Sequence, residues 1–129
     1  EIEWITTTAD KSDGFTLSAR VRFNEPVTVD TTGGTPTLSA TNGNQGSGTG
    51  RGPHALAYTS GTGTNELVFS LAIAAANAAT NADDVIVFGA NPLALNSGTI
   101  KDVATSTTNA TITSSSAIGT AAGGVTVTA

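Results

Sequence analysis

The sequence predicts an all-β chain folded as an antiparallel β-sandwich, and three observations predict it. Two long runs, FTLSARVRF (15–23) and NELVFSLAI (65–73), alternate apolar and polar residues with a period of two, the pattern of half-buried strands. Clusters of Gly, Asn, Asp and Ser punctuate the chain between short apolar runs, which is turn chemistry. No segment carries a helical apolar stripe long enough to bury. Many short strands with one polar face each favour two antiparallel sheets packed face to face.

The elements follow in order. Residues 2–7 read as a first strand, with Trp4 expected at a buried edge of the core. Ser12, Asp13 and Gly14 form a turn before the strand at 15–23, where Phe15, Leu17, Ala19, Val21 and Phe23 face inward and Thr16, Ser18, Arg20 and Arg22 outward. Strands are expected at 27–30 and 37–41, separated by Gly33 and Gly34. A glycine-rich loop at 43–52 leads to a strand at 55–60; after the turn at 61–63, Leu67, Phe69, Leu71 and Ile73 point inward. The Ala-rich stretch 74–81 has helical propensity but no stripe to bury, so a single helical turn is the most it should form. Strands at 85–88, 111–113 and 125–128 complete the set, with a turn at Asn96, Ser97 and Gly98.

Composition narrows the function classes. With 129 residues the chain fits one domain and can bury roughly two-thirds of its unfolded surface without staples. It contains no Cys, which removes disulfides, thiolate metal sites and a cysteine nucleophile together. The formal net charge is −5, and the five cations are Lys11, Arg20, Arg22, Arg51 and Lys101. They are too scattered to make a nucleic-acid patch; Arg20 and Arg22 read as a solvated strand face. No apolar run reaches the ~18 residues of a membrane helix. No basic-plus-apolar leader is visible at Glu1 and Met is absent, as expected of a processed chain or an excised fragment.

Candidate chemistry is thin. His54 is the lone histidine, in GRGPHALAY, and is expected at the surface beside a strand rather than as a general base. No G-x-S-x-G elbow accompanies it. The run GNQGSGTGRG (43–52) lacks the Lys-Ser/Thr ending of a phosphate loop and precedes a strand rather than a helix; it reads as an exposed interaction loop with Arg51 at its tip. The paired Asp83 and Asp84, and Asp10 and Asp13 around Lys11-Ser12, are the hard-oxygen groups a Ca²⁺ ion would use, but neither has EF-hand spacing. The Asp83-Asp84 pair, before a strand, is expected as a solvated turn. Asn109-Ala110-Thr111 is a formal glycosylation triplet without expected consequence. The sequence therefore names no catalytic, cofactor-binding or metal residue.

Three blocks, VRFNEPVTVDTTGGTPTLSA, ALAYTSGTGTNELVFSLAI and NPLALNSGTIKDVA, resemble the bacterial Ig-like repeats of large surface adhesins, a module also found on phage virions. The resemblance covers residues 15–104 in unbroken order. It implies an Ig-like sandwich of Greek-key type, with Phe23, Val27, Val29, Leu38, Tyr58, Leu67, Phe69, Leu93, Leu95 and Ile100 in apolar positions and Glu25, Asp30 and Asp102 in polar turn positions. The sandwich is then expected over 1–113, followed by a Gly/Ser/Ala-rich tail at 114–129. That tail reads as a final core strand after a loop, or as a strand donated to a neighbour's sheet.

The resemblance implies a structural, non-enzymatic module. The expectation is a phage decoration or cement protein at the virion surface, seated on capsid or tail proteins or on copies of itself. The alternative is a single repeat of a bacterial cell-surface adhesin. Neither requires a cofactor, Ca²⁺ being the one ion considered, and neither involves nucleic acid or membrane.

Overall fold

A computed structural model describes residues 2–42, 53–75, 80, 84–105, 108–110 and 125–128, and these form nine strands and no helix. In chain order they are β1 (Ile2–Trp4), β2 (Ala9–Asp10), β3 (Phe15–Asp30), β4 (Thr37–Asn42), β5 (His54–Ser60), β6 (Thr64–Ile73), β7 (Val85–Ala94), β8 (Thr99–Asp102) and β9 (Val125–Thr128). Eight of them follow one hydrogen-bonded path, β1-β3-β6-β5-β4-β7-β9-β2, and β8 pairs β3 off that path.

The two alternating runs become the centre of the sheet. β3 and β6 pair antiparallel with Leu17 opposite Leu71, Ala19 opposite Phe69 and Val21 opposite Leu67. Leu17, Ala19, Leu67 and Phe69 have no exposed surface. The outward partners are Ser18 opposite Ser70 and Arg22 opposite Glu66, so a one-residue slip would turn every apolar side chain outward. The register is fixed by that cost.

β3 runs through the sequence break at 24–26 as one bent strand. Its register against β6 shifts between Arg22 and Val27, and the exposed Pro26, which has no N–H to donate, sits inside that irregularity. Beyond the bend β3 changes partner: Val27, Thr28, Val29 and Asp30 pair with Asp102, Lys101, Ile100 and Thr99 of β8. β5 makes a similar change. Ala57 pairs both with Thr37 of β4 and with Ser70 of β6, so β5 carries the sheet from one half to the other.

The sheet is curled rather than flat. Trp4 of β1 and Phe88 of β7 lie five strands apart on the path, yet their rings stack with centroids 4.3 Å apart. All the buried apolar residues, from Ile2 to Val127, form one cluster. The ends of the path also meet through the chain itself. Ile5 and Thr6 donate backbone N–H groups to Ser18 O, and the Thr6 hydroxyl accepts from Ser18 N at 2.7 Å while donating to Thr16 O at 2.8 Å. From Thr6 to Ala9 of β2 the chain can reach only about 11 Å. β1 and β2 therefore lie close in space although they occupy opposite ends of the hydrogen-bonded order.

Several expectations are corrected here. The sheet is mixed, not wholly antiparallel: Ala9 and Asp10 of β2 pair parallel with Val127 and Thr128 of β9. The strand expected over 2–7 ends at Trp4, because the chain must leave β3 to reach β9. β8 follows the turn expected at 96–98, at a place where the sequence reading names no strand, although the resemblance assigns Ile100 an apolar position. The strand expected at 111–113, the 114–124 part of the tail, the 43–52 loop and most of the Ala-rich stretch lie outside the described residues. Within the chain the final strand pairs with β7 and β2, and Val125 and Val127 are buried.

Candidate functional site

The residues singled out in the sequence fall into three groups. Arg20 and Arg22 share the outer face of β3, as alternation requires, beside Glu3 and Glu66. Arg22 Nη2 is 3.7 Å from Glu3 and 3.6 Å from Glu66, and Arg20 Nη1 is 3.7 Å from Glu66. These pairs are long and about one-third or more exposed, so each contributes little. This is a solvated, internally paired face.

The acidic side chains mostly shape turns. Asp10 Oδ1 accepts from the backbone N–H and hydroxyl of Ser12 at 2.8 and 2.7 Å, and Asp30 Oδ1 accepts from Thr32 N at 2.8 Å. The hydrogen bonds from Ser12 and Thr32 hold both carboxyls below the ordinary range. Asp102 Oδ1 accepts from Ala104 N at 2.7 Å. Each closes an Asx-type turn at a strand end. No group of three or more His, Cys, Asp or Glu among the described residues is arranged to hold a metal ion.

His54 and Asp84 are corrections. Both were expected in solvent. Instead His54 opens β5 with 5% exposure, and Asp84, immediately before β7, is fully buried. The cause is topological: His54 pairs with Ala40 of β4, so its side chain shares the inward face with Leu56. Asn42 Nδ2 lies 3.4 Å from His54 Nε2. An amide nitrogen only donates, so Nε2 accepts and the neutral ring carries its proton on Nδ1. Burial pushes the imidazole below its ordinary value, and the Asp84 charge partly opposes this. Thr80 is buried too, and its carbonyl accepts from Lys11 Nζ. The Asn42–His54 contact joins β4 to β5, and Lys11, just after β2, reaches the segment between β6 and β7. Arg51 and Asp83 lie outside the described residues.

A concavity that sequence reasoning missed lies at the β3 bend. Phe23, Asn24, Glu25 and Val27 at the β3 bend form one wall, and Asp102 with residues 108–110 the other, around a cleft of about 310 Å³. Backbone bonds fix both walls: Val103 N donates to Pro26 O at 3.1 Å, Asp102 N to Thr108 O at 2.9 Å and Ala110 N to Ile100 O at 2.9 Å. Phe23, Val27, Glu25 and Asp102 were already marked as apolar and turn positions, but nothing in the sequence showed that β8 would bring 102 beside 25. No family model, curated protein or solved structure matches this chain.

Proposed function

We propose that the protein is a non-enzymatic interaction module with an Ig-like, Greek-key sandwich, acting as a decoration protein on a phage capsid or tail. The observation that carries the fold part is the strand order. The group β1-β3-β6-β5 follows the A-B-E-D arrangement of an immunoglobulin sheet and β4-β7-β9 follows C-F-G. The parallel pairing of β2 with β9, after β1 has paired with β3, also suits a chain that passes from one sheet of a sandwich to the other. The structural role is supported by where the ionisable groups go: Asp10, Asp30 and Asp102 close turns, and Arg20, Arg22, Glu3 and Glu66 pair on one outer face.

The virion setting rests on the resemblance of residues 15–104 to Ig-like repeats, as does the alternative of one repeat in a bacterial adhesin. Light scattering on the purified protein, with and without EDTA and Ca²⁺, separates the two. A metal-independent trimer or hexamer supports a part that assembles on a symmetric lattice. A change of mass or stability with Ca²⁺ favours the adhesin repeat, and a metal-indifferent monomer removes self-assembly from the reading.

A further inference from the structure

We propose that the cleft between the β3 bend and residues 102 and 108–110 is a docking pocket for one basic side chain, lysine or arginine, of a partner protein. This deepens the interaction-module reading, which supplies a protein as the occupant; the cleft's chemistry selects the side chain.

The lining has two parts. Phe23, Val27 and Ala110 are apolar, and Glu25, Asp102 and the amides of Asn24 and Asn109 are polar or anionic. No cation is among the described lining residues. The nearest cations in sequence are directed elsewhere: Arg22 pairs with Glu3 and Glu66 on the outer face, and Lys101 lies on the opposite side of β8 from the buried Ile100 by strand alternation. An aliphatic stem against the apolar part with a charged head at the carboxylates is how long basic side chains distribute themselves between apolar and polar surroundings. About 310 Å³ is at the small end of ligand pockets and suits one side chain rather than a large organic ligand. The hydrogen-bonded walls leave little to be ordered on binding, which limits the entropic cost. Val103, about half exposed beside the cleft, adds apolar contact for the backbone carrying that side chain.

The test is an NMR titration of the ¹⁵N-labelled full chain at low salt with Ac-Gly-Lys-Gly-NH₂ and Ac-Gly-Arg-Gly-NH₂. Ac-Gly-Gln-Gly-NH₂ and CaCl₂ serve as the comparison arms. The expected result is saturable shifts confined to amides of 23–27, 102–103 and 108–110 with at least one basic peptide and none with the Gln peptide. Glu25→Gln, at an exposed position, should keep the thermal melt and weaken binding by about threefold. Scattered non-saturating shifts, equal response to the Gln peptide, or no response would overturn the proposal. So would saturation of the same amides by one equivalent of Ca²⁺, which would make the cleft a cation site. The titration reads the cleft alone: a monomer that still binds the peptide loses the lattice reading and keeps the pocket.

Discussion

Trp4 stacks on Phe88 at a ring separation of 4.3 Å and an interplanar angle of 20°. This contact joins the first strand of the hydrogen-bonded path to the sixth, so it reports whether the sheet has curled. Trp4 is 8% exposed, and its Nε1–H has no hydrogen-bond acceptor among the described residues. Trp4→Ala should cost ~3–5 kcal/mol in urea unfolding through lost burial and the cavity left behind. Trp4→Phe keeps a stacking ring and removes the unsatisfied donor, so its cost should stay within ~1 kcal/mol. A Phe substitution as damaging as Ala would mean that the indole nitrogen has an important partner.

Two turns interlock at Gly34. A Cβ built there would lie 1.8 Å from Asn96 O, while one at Gly63 meets nothing within 4 Å. The two glycines differ in kind: Gly34 is required by a close approach of backbone to backbone, and Gly63 by its φ of +87°. Gly34→Ala should therefore cost more than ~2 kcal/mol and separate the 31–34 and 95–98 turns. Gly63→Ala should cost about 1 kcal/mol. Equal costs in chemical denaturation would show that the 95–98 turn moves aside freely.

What the sequence made legible was everything governed by local alternation. Leu17, Ala19, Leu67 and Phe69 are inward because period two places them there, and the expected apolar positions all belong to the core or pack on it. What it hid was set by pairing over long separations. The parallel partner of Ala9 lies at Val127, and no pattern within residues 5–10 specifies that. His54 and Asp84 looked like loop residues because polarity suggests solvent; instead His54 pairs with Ala40 of β4 and the Asp84 carbonyl accepts from Val127 of β9, both long-range partners. Glu25 and Asp102 were visible as turn positions, but the cleft they share exists only because β8 folds back on β3.

β9 gives the clearest test of what the chain's last strand does. Val127 is fully buried and its N–H donates to Asp84 O at 2.8 Å. Val127→Ala should cost roughly 2 kcal/mol, and Val127→Asp should leave the chain unfolded, because an unpaired buried charge approaches the total stability of such a domain. A chain lacking 125–129 should lose dispersed amide signals in NMR. A folded, soluble truncated chain that has lost only its assembly would instead assign the strand to a neighbouring molecule.

Stability should fall in acid in two stages, and His54 sets the first. Its folded pKa is lowered, chiefly by burial against the opposing effect of Asp84, so the unfolded state takes up the proton first. The contribution is therefore complete above the unfolded value of about 6.5 and is lost as pH falls toward and through the folded value. Geometry gives the same sign: a proton on Nε2 would face the donating amide of Asn42. The second stage belongs to Asp10 and Asp30, whose folded values are lowered by Ser12 and Thr32; their stabilisation is present above the unfolded value near 3.8 and is lost below it. The urea midpoint should fall between pH 7 and pH 5, and His54→Gln should flatten that interval while leaving the decline below pH 4 in place. A wild-type midpoint unchanged from pH 7 to pH 5 would show that Asp84 fully compensates the charge on the buried imidazole.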